Sequence, residues 1–230
     1  MEEKQLEIES ESSMEFSLYE VIKRLIDIAC SFLGVILLSP LFIIIAIIIK
    51  ITSKGPVFFS QKRVGKNGKE FNMYKFRSMV VNAEELKEKL AAQNEMSGPM
   101  FKMKDDPRVT KVGKFIRKTS IDELPQLWNV LKGDMSLVGP RALLVEYLQY
   151  YNSEQIRRHE VLPGLTGWAQ INGRNSITWN EKFKLDVWYV DNWSLWLDVK
   201  IFFLTFWKVI KREGINQSET VTMEYFNGTN

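Results

Sequence analysis

The sequence predicts a helix-rich α/β protein: a re-entrant membrane helix plus a small cytoplasmic domain with a β-hairpin and interfacial amphipathic helices. Three observations predict this fold class. An almost wholly apolar run covers residues 32–49, an Asn-Gly pair separates two short segments rich in aromatic residues, and several later stretches have helical spacing. The part of the chain outside the apolar run is therefore expected to be water-facing, with more helix than strand.

We expect four segments along the chain. Residues 1–18 form a disordered acidic tail, and residues 19–54 form the re-entrant membrane helix. Residues 55–215 form the cytoplasmic domain, and residues 216–230 form a C-terminal tail. The boundaries follow from shifts in charge and hydrophobicity, and 230 residues suit one domain plus a membrane element.

The apolar run, residues 32–49, is the strongest membrane signal. A helix of eighteen residues rises about 27 Å, barely enough for a hydrocarbon core of about 30 Å. Pro40 has no N–H and clashes with the preceding turn, so a kink is expected there. Ser39 can return its hydroxyl to a backbone carbonyl and so help to satisfy the groups that a kink exposes.

Positive residues flank the run on both sides. Lys23 and Arg24 precede it, and Lys50 and Lys54 follow it. Cationic flanks tend to stay on the cytoplasmic side, so neither end is predicted to be translocated. This favours a segment that enters the membrane and returns to the same face. A plain span and a buried helix of a soluble protein are the alternatives, whereas a signal peptide is not expected because no small-residue cleavage site follows.

Charge and cysteine content limit the partners. Seven Glu and one Lys give residues 1–20 a net charge of −6. Because the whole chain carries +3, residues 21–230 carry +9. A basic body near a membrane favours anionic partners such as phospholipid headgroups, phosphorylated lipids or nucleotides. Nucleic acid is not expected, because no binding motif frames the scattered lysines. The single Cys30 excludes a disulfide framework and agrees with a reducing, cytoplasmic setting.

The hairpin is expected where residues 57–59 and 71–76 flank Lys66-Asn67-Gly68, because Asn-Gly tolerates the positive φ of a tight turn. Helices are expected at residues 83–93, 120–131, 142–158 and 195–212. The last of these has many aromatic residues and ends in cationic ones. It is interpreted either as an interfacial helix with its apolar side in the membrane or as a core helix.

Asp122-Glu123 is the acidic pair with the most chemical interest. With Ser120 as N-cap, Glu123 falls at the position of a capping box, which is a purely structural interpretation. A helix start also supplies free N–H groups and a positive dipole end that attract phosphate. An ionised Asp can attack phosphorus, and an adjacent Glu can bind Mg²⁺ or transfer a proton. The two interpretations are compatible.

Four cationic residues are close to this pair or to predicted turns. Lys75 and Arg77 end the hairpin and alternate onto the same side, and Arg117 lies five residues before Asp122. Arg141 follows Gly139-Pro140, a rigid turn that restricts its guanidinium. Arginine is suited to bidentate phosphate contacts.

These residues belong to longer motifs that follow one another in order. The motifs are KFRSM at residues 75–79, RKTSIDELPQ at 117–126, SLVGPR at 136–141, PGLTGWAQINGR at 163–174, and Asp186 with YVDN at 189–192. Together they resemble the bacterial sugar transferases, the monotopic phosphoglycosyl transferases. The resemblance covers residues 19–215.

The resemblance implies a reaction and its site. Members of this family transfer a sugar phosphate from a UDP-sugar to polyprenol (undecaprenyl) phosphate and release UMP, the first membrane step of polysaccharide or glycoconjugate synthesis. Asp122 is then the nucleophile that forms a phosphosugar–aspartyl intermediate. Glu123 assists with Mg²⁺ and proton transfer, and the metal is expected at Asp122 and Glu123.

The resemblance also implies roles for the cationic residues. Arg117 and Arg141 neutralise phosphate charge, and residues that line the nucleotide or phosphate site are Lys75, Arg77, Arg174 and Asp186. Ser39-Pro40 is the kink of the re-entrant helix. The expected location is the cytoplasmic face of the bacterial inner membrane, in contact with its lipids, and a homo-oligomer is left open.

Some features depart from the family pattern or favour other functions. Ala142 replaces the usual proline after Arg141, and the insertion at residues 83–107 and the tail at residues 222–228 indicate different sugars, so the sugar stays open. An inactive membrane-anchored scaffold and a glycosyltransferase that releases UDP are the alternatives. His159 is alone in the sequence, and among charged neighbours it is expected to be exposed on a helix.

Overall fold

The computed structural model describes residues 2–90, 106–173, 177–211 and 225–229. Its longest element is helix α1, Glu2–Thr52, followed by strands β1, Phe58–Val64, and β2, Glu70–Phe76. The remaining α-helices and strands, in chain order, are α2 (Ala83–Lys89), α3 (Lys111–Lys118), α4 (Gln126–Lys132), β3 (Ser136–Val138), β4 (Gly164–Thr166), α5 (Trp168–Ile171), α6 (Trp179–Asp191) and α7 (Leu195–Lys211). The predicted helix-rich α/β class is confirmed.

The acidic segment differs from its prediction. Helix α1 begins at Glu2, so residues 2–17 are helical rather than a tail without secondary structure. The prediction rested on the acidic, serine-containing composition of the segment and on its lack of sustained periodicity.

The hairpin forms as predicted. Strands β1 and β2 pair antiparallel, from Phe58 opposite Phe76 to Val64 opposite Glu70. The turn between them contains Asn67 with φ 57° and Gly68 with φ 75°. Both φ values are positive, as the Asn-Gly signal requires. Strands β3 and β4 form a second, parallel pair, in which Ser136 lies opposite Gly164.

Helix α1 is attached to the domain near its Lys23-Arg24 pair. The Arg24 guanidinium donates to the carbonyls of Val130 and Leu131 at the end of α4. Lys23 forms an ion pair with Asp198 of α7 and also donates to the Val138 carbonyl at 3.1 Å. These two cations therefore hold α1 against the domain.

The later part of α1 also contacts the domain. Ile45 and Ile49 are buried with Phe76 of β2 and Ile116 of α3. Between the two contact regions α1 exposes large apolar side chains, among them Phe32, Leu33, Ile36, Leu37, Ile43 and Ile44. Ser39 donates to the Ile36 carbonyl at 2.8 Å, which confirms the predicted return of its hydroxyl to the backbone. The helical backbone continues through Pro40.

Helix α7 has two unlike faces. Leu197 and Ile201 are buried in a core cluster with Val138, Ile171 and Tyr189. The opposite side leaves aromatic side chains in solvent, namely Trp196, Phe203, Phe206 and Trp207. One face of the helix thus packs in the core. The other face is the exposed aromatic surface that the interpretation as an interfacial helix requires.

The predicted capping box at Ser120 is wrong. Ser120 is in the left-handed region with φ 57° and its side chain makes no capping hydrogen bond. A short 3₁₀ turn, Ile121–Glu123, precedes α4, so the predicted helix over residues 120–131 is interrupted. The carboxylate of Glu123 binds cations of the domain instead, as described below. A capping box does occur at Thr178 and Glu181, where α6 begins.

Two further predictions need correction. The expected helix at residues 142–158 is instead a pair of 3₁₀ segments, Val145–Tyr150 and Gln155–His159. His159 is 6% exposed and packs against the Tyr151 ring, 5.5 Å between centroids, rather than facing solvent. Helix α2 ends at Lys89, and residues 91–93 of its predicted range lie outside the described residues.

Candidate active site

A cleft of about 850 Å³ lies between the hairpin, the Ile121–Glu123 turn and the loop after β3. Each described residue that the sequence assigned to the reaction or to phosphate binding lines it, namely Lys75, Arg77, Arg117, Asp122, Glu123, Arg141 and Asp186. Arg174, the remaining predicted binding residue, lies outside the described residues. One concave site thus collects groups that are far apart in the chain.

Glu123 is the centre of charge pairing in the cleft. Its Oε1 accepts a hydrogen bond of 2.7 Å from Lys75 Nζ and another of 2.7 Å from Arg141 Nη2. Burial alone would raise the pKa of Glu123, but the charges and hydrogen bonds of Arg141 and Lys75 outweigh burial and hold the pKa well below its usual range. Glu123 is therefore ionised at neutral pH and fixes both cations.

Asp122 has a different environment from its neighbour. It is 8% exposed, and within the part of the chain that the structure describes its carboxylate accepts no hydrogen bond. Burial raises the pKa of Asp122, Lys75 lowers it and the charge of Glu123 raises it again, with a net upward shift. A carboxylate in the cleft that neutralises no cation directly is the better nucleophile of the two.

The loop after β3 holds Arg141 in place. A Cβ on Gly139 would lie 2.3 Å from the Leu162 carbonyl oxygen and 2.9 Å from the Gly164 nitrogen. Only glycine permits this close approach of the two backbones. Arg141 forms an isolated bridge with Gly164, so its backbone is fixed before its side chain reaches Glu123.

Arg117 is oriented by a serine. Its Nε donates to Ser78 Oγ at 2.7 Å, and its charge acts on Asp122. Ser120 also lines the cleft in its left-handed conformation, which is unfavourable for a residue other than glycine. Backbone strain of this kind is common at functional sites.

Arg77 is placed differently from Lys75. It is 7% exposed, and its Nη2 donates to the Ser53 carbonyl at 2.7 Å, just beyond the end of α1. Among the described residues, its Nε and Nη1 have no hydrogen-bond partner. The guanidinium thus borders the cleft with donor capacity left over.

Asp186 is buried in an ion pair. It is 1% exposed, and its Oδ2 accepts hydrogen bonds from Arg158 Nε at 3.0 Å and Nη2 at 2.8 Å. Arg158 also donates to the carbonyl of Arg141 at 2.7 Å. Asp186 therefore supports the backbone of Arg141 through Arg158, in addition to lining the cleft.

Sequence reasoning missed several residues of the cleft wall. Lys182 lies 4.7 Å from the Trp179 ring centroid, and burial lowers the pKa of Lys182 to about 8. Burial, together with the charge of Arg141, lowers the pKa of Arg63 to about 10. Tyr147 completes this wall. Strand alternation carried a signal for Arg63, but no motif indicated the others.

The residues fit the metal that the resemblance implies. Mg²⁺ is commonly bound by one or two carboxylates together with phosphate oxygens and water. In the described part of the chain, the hydrogen bonds to Glu123 go to Oε1, which leaves Oε2 and the Asp122 carboxylate for a cation. No group of three or more His, Cys, Asp or Glu side chains suited to a metal occurs among the described residues, so phosphate oxygens would have to complete the coordination.

The cleft and α1 together define a class of protein. Cations surround two carboxylates in the cleft, and Leu18–Thr52 of α1 is long and apolar enough to cross a membrane. The chain belongs to the bacterial sugar transferase family, whose model matches residues 18–212. The family resemblance of the sequence motifs is therefore confirmed.

Individual relatives are similar over most of this chain. It is 49% identical over 209 residues to the uncharacterized sugar transferase EpsL of Bacillus subtilis, covering 91% of this chain and 97% of that protein. It is 51% identical to the galactosyl transferase CpsE of Streptococcus agalactiae, covering 88% of this chain but 45% of that protein. It is 46% identical to the undecaprenyl-phosphate galactose phosphotransferase of Salmonella typhimurium, covering 84% of this chain and 41% of that protein. The chain thus spans less than half the length of the last two.

Proposed function

We propose that this protein transfers a sugar-1-phosphate from a UDP-sugar to polyprenol (undecaprenyl) phosphate and releases UMP. The observation that carries the proposal is the Glu123 carboxylate, which fixes Lys75 and Arg141 beside the carboxylate of Asp122. A diphosphate needs fixed cations, and covalent capture needs a nearby carboxylate. Two family relatives have names that support the transfer of a sugar phosphate to undecaprenyl phosphate. They are an undecaprenyl-phosphate galactose phosphotransferase of Salmonella typhimurium and a UDP-glucose:undecaprenyl-phosphate glucose-1-phosphate transferase of Klebsiella pneumoniae.

The reaction has two displacements at phosphorus. An Asp122 Oδ attacks the β-phosphorus of the UDP-sugar, a P–O bond forms, and the bond to the bridging oxygen breaks so that UMP leaves with the electron pair. An oxygen of polyprenol phosphate then attacks the same phosphorus, and the bond to Asp122 breaks. The carboxylate is regenerated, and no oxidant or reductant is needed.

The cations act on charge in both steps. Lys75, Arg117 and Arg141 neutralise the phosphoryl oxygens, and Glu123 keeps Lys75 and Arg141 in position before the substrate arrives. Such preorganisation is the main contribution of proteins to phosphoryl transfer. Mg²⁺, held by Glu123 and Asp122 with the substrate phosphates, would supply additional charge neutralisation when bound.

The proposal includes a re-entrant α1. Lys23 and Arg24 contact α4, β3 and α7, while Ile45 and Ile49 pack on β2 and α3 of the same domain. A helix that crossed the bilayer would put these two regions on opposite faces. Contact of both regions with one domain supports entry and exit at the same face, which we place at the cytoplasmic side of the inner membrane, among its lipids.

This topology has a direct labelling test. In a Cys30→Ser background, Glu20→Cys and Lys54→Cys each introduce one thiol at either end of the apolar region. In intact inverted vesicles both thiols are expected to react with a membrane-impermeant maleimide, and neither in right-side-out spheroplasts. If one thiol reacted only in inverted vesicles and the other only in spheroplasts, the helix would span the membrane instead.

The reaction is tested with detergent-purified full-length protein, Mg²⁺, polyprenol phosphate and a panel of UDP-sugars. UMP release from at least one sugar is expected, and Asp122→Asn should reduce it by about a thousandfold or more, because the nucleophile is lost. Lys62→Met is the matched control, since Lys62 is exposed and pairs with Glu70 outside the cleft. UDP release would identify a glycosyltransferase, and release of neither nucleotide by folded protein would favour a scaffold.

A further inference from the structure

The cleft has a second group of features at its end nearest α1. Arg77 donates there to the Ser53 carbonyl, one residue past the last helical residue, Thr52. Arg77 is more than nine-tenths buried, yet the Nε and Nη1 of its guanidinium lack partners among the described residues. Leaving charged donors buried and unpaired is costly, so an anionic ligand is the expected partner.

The chain makes room for this guanidinium. A Cβ on Gly55 would lie 2.2 Å from Arg77 Nη1 and 2.5 Å from Val81 Cγ2, and Gly55 has φ +113°. The glycine is therefore needed for both its conformation and its lack of a side chain. The loop after α1 packs closely around Arg77 and leaves its Nε and Nη1 without a hydrogen bond from the described residues.

The surroundings of Arg77 are apolar, unlike those of Glu123. Phe58 is 52% exposed, Phe59 50% and Val81 65%, and all three line the cleft. Phe59 is the cross-strand partner of Lys75, so both side chains share one face of the hairpin. An apolar rim beside buried arginine donors matches a ligand with a phosphate at one end and a hydrocarbon chain at the other.

Arg77 shares its cleft with Asp122. Ser78, the next residue in the chain, accepts a hydrogen bond of 2.7 Å from Arg117 Nε, and the charge of Arg117 acts on Asp122. A phosphate held at Arg77 would therefore be bound in the cleft that also holds the carboxylate of Asp122.

We propose that Arg77 binds the phosphate of the lipid acceptor and that Phe58, Phe59 and Val81 hold the first part of its hydrocarbon chain. This inference rests on the proposed function, because the ligand is the polyprenol phosphate of the second displacement. The acceptor oxygen attacks the phosphorus on Asp122 while Arg77 neutralises the remaining acceptor charge. Arg77 is thereby assigned to the acceptor and not to the nucleotide.

The test separates the two half-reactions in lipid nanodiscs. Arg77→Met is expected to raise KM for polyprenol phosphate about tenfold or more, because hydrogen bonds between charged groups are lost. Single-turnover UMP release without acceptor, and KM for the UDP-sugar, should stay within about twofold of wild type. A rise in KM for the UDP-sugar with unchanged KM for the acceptor would overturn the assignment.

A second variant covers failure of Arg77→Met to fold. Phe59→Ala changes an exposed side chain and should raise KM for undecaprenyl phosphate severalfold while changing KM for the two-isoprene citronellyl phosphate less. Equal effects on both acceptors would contradict the apolar rim. Lys62→Met, exposed on the same strand as Phe59 and outside the cleft, is the control.

Binding measurements separate this inference from the proposed function. With Asp122→Asn protein, tryptophan fluorescence should report polyprenol phosphate binding that Arg77→Met weakens, whether or not any UDP-sugar is turned over. If wild type releases no UMP but binds the acceptor through Arg77, the proposed reaction is wrong and the assignment of Arg77 to the acceptor is kept. Equally strong competition by phosphatidic acid or by inorganic phosphate would mean a general phosphate site and overturn the acceptor assignment.

Discussion

Arg158 donates a hydrogen bond of 2.7 Å to the backbone carbonyl of Arg141. The same guanidinium is bound by the buried carboxylate of Asp186. The ion pair thus acts on the cleft through the backbone of Arg141, the arginine to which we assign phosphate binding. It explains why an acid far from Asp122 in the sequence belongs to the site.

Asp186→Asn tests this relationship through stability and kinetics. It leaves Arg158, 2% exposed, without its counter-charge, and breaking a buried pair in this way costs about 3–5 kcal/mol. The free energy of unfolding measured by chemical denaturation and the kcat of UMP release should both fall. The matched variant is Asp191→Asn on the same helix, which loses an exposed pair with Arg157 and should cost less than about 1 kcal/mol. Equal losses for the two variants would show that Arg158 needs no buried partner.

The pH dependence of the first half-reaction tests the charge coupling of Lys75 and Asp122. Lys75 lowers the pKa of Asp122, whose net shift is upward because of burial. Removing the cation by Lys75→Met destabilises the ionised carboxylate, so the pKa of Asp122 should rise further. The acid limb of single-turnover UMP release should therefore move to higher pH. Lys62→Met should leave the limb where it is, and a shift to lower pH in Lys75→Met would exclude Asp122 as the titrating nucleophile.

His159 predicts a pH dependence of stability. Burial lowers the pKa of His159 to about 3 from an unfolded value of 6.5. Between these values the unfolded state binds one more proton, so the stability contributed by neutral His159 is complete above pH 6.5 and is lost as pH falls towards 3. The loss is up to about 1.4 kcal/mol per pH unit. The free energy of unfolding of wild type and of His159→Phe is measured by urea unfolding across this pH range. It should depend more steeply on pH in wild type, whereas the same pH dependence in both proteins would mean that His159 titrates normally.

Local signals in the sequence were enough for some elements. Asn67-Gly68 specified the hairpin because positive φ at both residues is a local requirement. The charged residues of the motifs around Asp122 and Arg141 lie in one cleft. The paired cations at Lys23 and Arg24 were read as flanks of a membrane segment, but their contacts with α4 and α7 were not visible in the sequence.

Other features depend on contacts that no local pattern encodes. Ser120 has the spacing of a capping residue, yet Glu123 binds Lys75 and Arg141, which come from distant segments. Arg158 and Asp186 are 28 residues apart, and charge alone did not distinguish buried Arg158 from its half-buried neighbour Arg157. Burial of His159 likewise depends on Tyr151 and on the backbone of Gly65.

The central claim is that Asp122 carries the phosphosugar between the two displacements. It is tested most directly by intact-protein and peptide mass spectrometry after rapid acid quenching of the full-length protein with Mg²⁺ and the accepted UDP-sugar, without polyprenol phosphate. We predict one added sugar phosphate per chain on the peptide containing Asp122, absent in Asp122→Asn and lost when polyprenol phosphate is added before the quench. UMP release in the presence of acceptor with no adduct on Asp122, and undiminished turnover by Asp122→Asn, would contradict the account.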